Sequence, residues 1–208
     1  MACAGYPITE AGYCLVHGDP EYLRRSLQTV SGGGAIGFLR GVLIDQDILQ
    51  RLFDANQTHS KGNRTLREPN FIGAVFLADV SFERVEVVGE SSWQGAVFSG
   101  KAAFEGAKFS GLPNFTGAHF DSEAKFRHGI FTAGADFSGA VFSGGADFSR
   151  SKTEGGMKFA GASLLGPSNF VGISGQGRIS LDWATITDTI EPAEIVSQSV
   201  HVNVLKLT

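Results

Sequence analysis

The chain has 208 residues, with 28 glycines, 17 phenylalanines, 17 basic and 21 acidic side chains, and a net charge of −4. That balance favours neither a basic nucleic-acid binder nor a strongly acidic decoy. No run of eighteen apolar residues is present to span a membrane as a helix, and two cysteines do not build a disulfide framework.

Residues 1–70 read as a leader of helices and turns that lacks the periodicity found later. The opening "MACAGYPITE" has neither the basic segment nor the apolar core of a signal peptide, so a reducing cytoplasm is the expected setting. Asp19 and Pro20 form an N-cap and first-turn pair, with Leu23, Leu27 and Val30 on one face behind them, and Gly32, Gly33 and Gly34 ending that helix. Gly32, Gly34 and Gly37 match a dinucleotide-binding pattern only formally, because no strand leads in and no βαβ unit surrounds them. A second helix is expected to start near Asp45, with Ile48, Leu49, Leu52 and Phe53 as its buried stripe, before the polar stretch 56–70 that reads as loop. Cys3, Cys14 and His17 are a candidate zinc site, since Cys14-x-x-His17 lets both side chains reach one ion from a tight turn. A structural site wants four ligands, and the fourth would be either an upstream residue or the distant His59.

From Phe71 a large apolar residue recurs at alternating steps of five and six residues for about a hundred residues. A helix of 3.6 residues per turn would scatter such a spacing around its cylinder, whereas a chain that turns a corner at each step collects it on one side. Two residues before each large group sits a small one, such as Ala96, Ala107, Ala118, Gly129 or Ala140. Both point the same way on an extended segment, so each side of the coil turns one small and one large group inward. Glycine dominates two residues after, where it is expected to supply the positive φ of a corner. Four sides close a square coil of 22 residues, and coils stack like strands of a parallel sheet.

Four inner ladders follow. Phe71, Trp93, Phe115, Phe137 and Phe159 form one, and Phe76, Phe98, Phe120, Phe142 and Leu164 the next. Phe82, Phe104, Phe126, Phe148 and Phe170 form the third, and Val87, Phe109, Phe131 and Thr153 the last. The pattern loosens at Thr153, Met157 and Gly175, and residues 182–208 read as further coil or strand covering the end of the rod, with no polar terminal cap, as in a piece of a longer protein.

"FSGKAAFEGAKFSGLPNFTGAHF" (98–120) and "FTAGADFSGAVFSGGADFSR" (131–150) resemble the bacterial pentapeptide-repeat proteins, in a Phe-rich variant with an extra residue every second side. The resemblance covers 71–172 and implies a mainly β fold, a right-handed quadrilateral β-helix over 71–181 behind a small helical segment. "CAGYPITEAGYCLVHGDPEYLRRSL" also resembles the Cys/His leader of some members, which carry more Cys ligands upstream.

No catalytic residue is assigned. His119 and His128 fall on different sides of the coil with no Ser, Cys or Asp at a fixed offset, and Asp136 and Asp147 fall on opposite walls. The sequence therefore points to a non-enzymatic scaffold that meets an unknown protein partner, with end-to-end pairing of two rods as its expected self-association. The alternative is a family trait, a DNA-mimicking rod that inhibits a type II topoisomerase such as DNA gyrase. It needs a long acidic stripe, and ten acidic against nine basic residues between 71 and 181 leave about −1.

Overall fold

The computed structural model describes residues 41, 43–55, 64–187, 190–191 and 203–204. It is mainly β: four parallel sheets stand as the walls of one coil, joined corner to corner by the chain itself. In chain order, the first wall runs through seven strands from Leu43–Ile44 and Val75–Phe76 to Thr185–Ile186. The second has six, from Val80–Ser81 to Ile190–Glu191; the third six, from Thr65–Arg67 to Ser174–Gly175; the fourth six, from Ser91–Ser92 to Asn203–Val204. Register along a wall advances by 22 residues, as in Phe76↔Phe98 and Phe120↔Phe142.

The bore is filled by aromatic rings. All sixteen aromatic ladder positions are at most 3% exposed, and the small residues two before them are buried as well. Along the first wall, Phe76, Phe98, Phe120 and Phe142 stack at centroid spacings of 4.6, 4.7 and 4.8 Å with rings within 1° of parallel. Rings on opposite walls meet edge to face, with Phe104 and Phe115 at 5.6 Å and 84°. Each such pair contributes about 0.5–1.5 kcal/mol beyond the area it buries. Trp93 carries a polar cost, because its indole Nε1 and the nearby Ser91 Oγ are buried without partners.

The apparent loosening at 153–175 is an exchange of volume. On the third wall the inward pair is Phe131 with Gly129, then Thr153 with Ser151, then Gly175 with Ile173. As the ring disappears, the buried position next round the coil grows from Ala135 to Met157 to Ile179. A close-packed bore tolerates a lost ring where a neighbour on the same coil fills its space.

Glycines at the corners do two different jobs, which corrects the expectation that all supply positive φ. Within the five-residue steps, the corner is a turn closed by the carbonyl of the inward residue and the N–H three further on, as in Ala96 N–H to Trp93 O at 3.0 Å. Its third residue is left-handed, with Gly95 at φ 62° and Gly117 at φ 64°, as a type II turn requires. Within the six-residue steps, Gly100, Gly111 and Gly144 are absent from the positive-φ set, yet a Cβ on any of them would lie 2.4 Å from backbone of the preceding coil. There glycine is needed for close approach, and the sixth residue provides the wider bend.

The coil also begins before residue 71. Leu43–Ile44 pairs with Val75–Phe76, and Thr65–Arg67, inside the stretch expected as loop, pairs with Glu86–Val88. Neither was legible because both break the period: Ile44 stands 32 residues before Phe76, and Leu66 stands 21 before Val87. A ten-residue helix, α1 (Gln46–Ala55), takes up the surplus in the place of a second-wall strand. Asp45 caps it, its Oδ1 accepting the Ile48 N–H at 2.8 Å, and Ile48, Leu49, Leu52 and Phe53 are buried as the stripe predicts. Phe53 continues the second-wall ladder by packing on Phe82, edge to face at 5.9 Å. The Gln46 amide donates to Asp79 O, and Arg64 Nη1 donates to Ser81 O at 3.5 Å. These carbonyls lie on the first strand of that wall, where no preceding strand can use them.

Two comparisons test these assignments by chemical denaturation. Phe126→Ala is expected to cost about 3–5 kcal/mol by opening a cavity in the bore, whereas Lys125→Ala on the outer face stays within about 0.5 kcal/mol. Gly144→Ala is expected to cost more than Gly117→Ala, by backbone displacement of about 1–3 kcal/mol against about 1 kcal/mol of left-handed strain; equal costs would remove the two-corner account.

Candidate functional site

With the bore full, the chemistry of this rod lies on the outward columns, the residues just before and just after each inward one. The turn geometry fixes many of these side chains. On the fourth wall Asn114 and Asp136 accept the N–H two residues on, at 2.9 Å each, and on the second wall Asp147 and Asn169 do the same at 2.8 and 2.9 Å. The sequence marked Asp136 and Asp147 as outward carboxylates on opposite walls, and their strands do belong to the fourth and second walls. One oxygen of each is committed to its own turn, so they act as corner braces.

On each of three walls an opposite-charge pair stands on adjacent coils. Glu86 stands beside Lys108 on the third wall, Lys125 beside Asp147 on the second, and Asp136 beside Lys158 on the fourth. Further pairs form across the strand, with Lys125 to Glu123 at 3.5 Å and Lys152 to Glu154 at 3.1 Å. All four residues are exposed by two-fifths or more, so each pair holds geometry with little stability.

Two open clefts follow the wide corners. One, about 610 Å³, lies at the junction of third and fourth walls against Glu68, Glu90, Asn114 and Asp136. The other, about 560 Å³, lies at the junction of first and second walls against Glu123, Asp147, Pro167 and Asn169. Both are lined by carboxylates and serines, with no histidine, cysteine or lysine in either lining. His119 is on the first wall and His128, left-handed at φ 56°, is on the corner between second and third. Cys3, Cys14, His17 and His59 lie outside the described residues, as do the first expected helix and the glycines 32, 34 and 37. Among the described residues no three His, Cys, Asp or Glu side chains converge as a metal site, and no helix is long and apolar enough to cross a membrane.

Residues 104–152, at the centre of the stacked coils, match the family profile for pentapeptide repeats in nine copies. Residues 104–152 of this chain therefore carry pentapeptide repeats. Among solved structures, a trypsin-treated form of QnrB1, described as a plasmid-mediated fluoroquinolone resistance protein, is similar over 82% of this chain and 86% of its own, at 15% identity and a TM-score of 0.20. A superposition that loose transfers nothing to this chain. A search of curated proteins finds no matching sequence.

The surface feature that sequence reasoning passed over in this rod is the outer face of its first wall. Its leading outward column reads Leu43, Val75, Val97, His119, Val141, Ser163, Thr185. The signal was present as valines spaced by the coil period, hidden beside the louder phenylalanines.

If the bracing carboxylates are structural, Asp147→Ala loses about 1 kcal/mol of stability while Asp147→Asn retains it, since Asn169 makes the same bond one coil on. Urea midpoints of the two variants distinguish this from a role that needs the negative charge, in which both fall together.

Proposed function

We propose that the protein is a non-enzymatic scaffold of the cytoplasm, a stiff rod that presents fixed outward columns to a protein partner. The observation that carries this reading is the division of labour in the coil: the inward positions are spent on one repeated packing solution, and among the described residues no charged residue is buried. Repeat rods of this kind place binding on surfaces that vary without disturbing the fold.

The alternative, a duplex mimic that occupies a type II topoisomerase, needs like charges repeated along a wall to match phosphates. Here the three charged walls carry both signs along their length, as Glu86 beside Lys108 and Asp136 beside Lys158, so none presents a continuous acidic stripe. DNA gyrase supercoiling is therefore expected to proceed unchanged with about 10 µM of the full chain. Inhibition would favour the mimic. For the scaffold, affinity capture from native lysate is expected to recover a partner that charge reversal on one wall abolishes and charge reversal on the others leaves. Recovery indifferent to every wall would count against it.

A further inference from the structure

We infer that the first wall is an interface on which two copies of this chain pair side by side, with their rods parallel. The inference deepens the scaffold reading and rests on it, by naming a surface and its occupant.

All-parallel sheets are normally covered on both faces, and their strands then carry apolar residues on both sides. The first wall carries apolar residues on part of an outer face that nothing in the described chain covers, interspersed with serines and threonines. Its outward columns hold Val75, Val97 and Val141, half-buried, and Leu77 and Leu165, 54% and 42% exposed. Of the five exposed large apolar residues among the described residues, Leu43, Leu77 and Leu165 lie on this wall and Trp183 on the corner that leads into it. The other walls are studded with the charge pairs described above. Concentrated apolar exposure framed by polar walls marks a contact surface.

The few charges on the wall choose the occupant. His119 and Asp121 flank the inward Phe120 on the middle strand of the seven, both exposed. Residues before and after an inward position point outward together. A two-fold axis parallel to the rod lays the column before each inward residue on the column after it in the second copy. His119 then meets Asp121 of the second copy, twice over, and Val75 meets Leu77 of the second copy. A two-fold axis across the rod instead puts His119 on His119 and Asp121 on Asp121. Like carboxylates in contact disfavour that arrangement, so self-complementarity selects parallel rods. Seven strands at about 4.8 Å spacing give a face roughly 29 Å long.

Sedimentation velocity of the full chain from about 1 to 100 µM is expected to show a monomer–dimer equilibrium. Val97→Lys with Val141→Lys should leave only monomer. If that pair melts early, Ser99→Arg with Ser143→Arg, both at exposed positions of the same wall, serves in its place. Asp121→His should weaken the dimer by about tenfold or more, and adding His119→Asp to it should restore pairing. Monomer throughout the range overturns the inference, as does a dimer indifferent to the charged wall, or a swap that fails to rescue. A monomer that still captures a partner through another wall would sink this inference and leave the scaffold reading standing.

Discussion

The structure depends on one coincidence of lengths. Backbone hydrogen bonding sets parallel strands about 4.7–4.9 Å apart, and aromatic rings pack well at centroid separations in the same range. A phenylalanine placed at the same point of each coil therefore stacks on its predecessor without straining the ladder, as Phe82, Phe104, Phe126 and Phe148 do at 4.8, 4.9 and 4.8 Å. Backbone and core enforce each other coil after coil. Where the ring is absent, the consequence is local, because Met157 and Ile179 fill the space beside Thr153 and Gly175.

The alternation of five and six residues has its origin in the corners rather than the walls. A tight turn with one left-handed residue closes in five, and the wider bend consumes a sixth while bringing two coils almost into backbone contact. Both corner types select glycine, one for a dihedral angle and the other for room. Arg84, His128, Arg150 and Trp183 show which is which: they occupy left-handed corners at φ 55–60°, where a side chain points into solvent. No side chain could stand at Gly144 without moving the coil before it.

A filled bore also explains why function must be sought outside. The rod has no interior to shape around a substrate, and its outward carboxylates are partly committed to holding corners. What remains free to vary is the character of each wall. Three walls carry opposite charges on neighbouring coils, and the first carries half-buried valines and exposed leucines with His119 and Asp121 at its centre. That contrast between walls, on a body stiffened by its core, is what a partner would read.

Phe-to-Phe spacing determined the coil, its 22-residue period, the four ladders and the direction in which every side chain points, because alternation along a strand leaves no freedom once the period is known. The capping helix was legible too, since Asp45 and the stripe Ile48, Leu49, Leu52 and Phe53 form a local signal complete in ten residues. Only the folded chain decided what lies far apart in sequence. Ile44 and Leu66 joined the walls out of period, because a helix inserted in one coil and a residue missing from another leave hydrogen-bond register intact while destroying the count. The purpose of each glycine was likewise undecidable from its position, since the neighbour it must clear sits about 22 residues away. The apolar face of the first wall belongs to the same class: valines dispersed through the chain become one surface only when the coils stack.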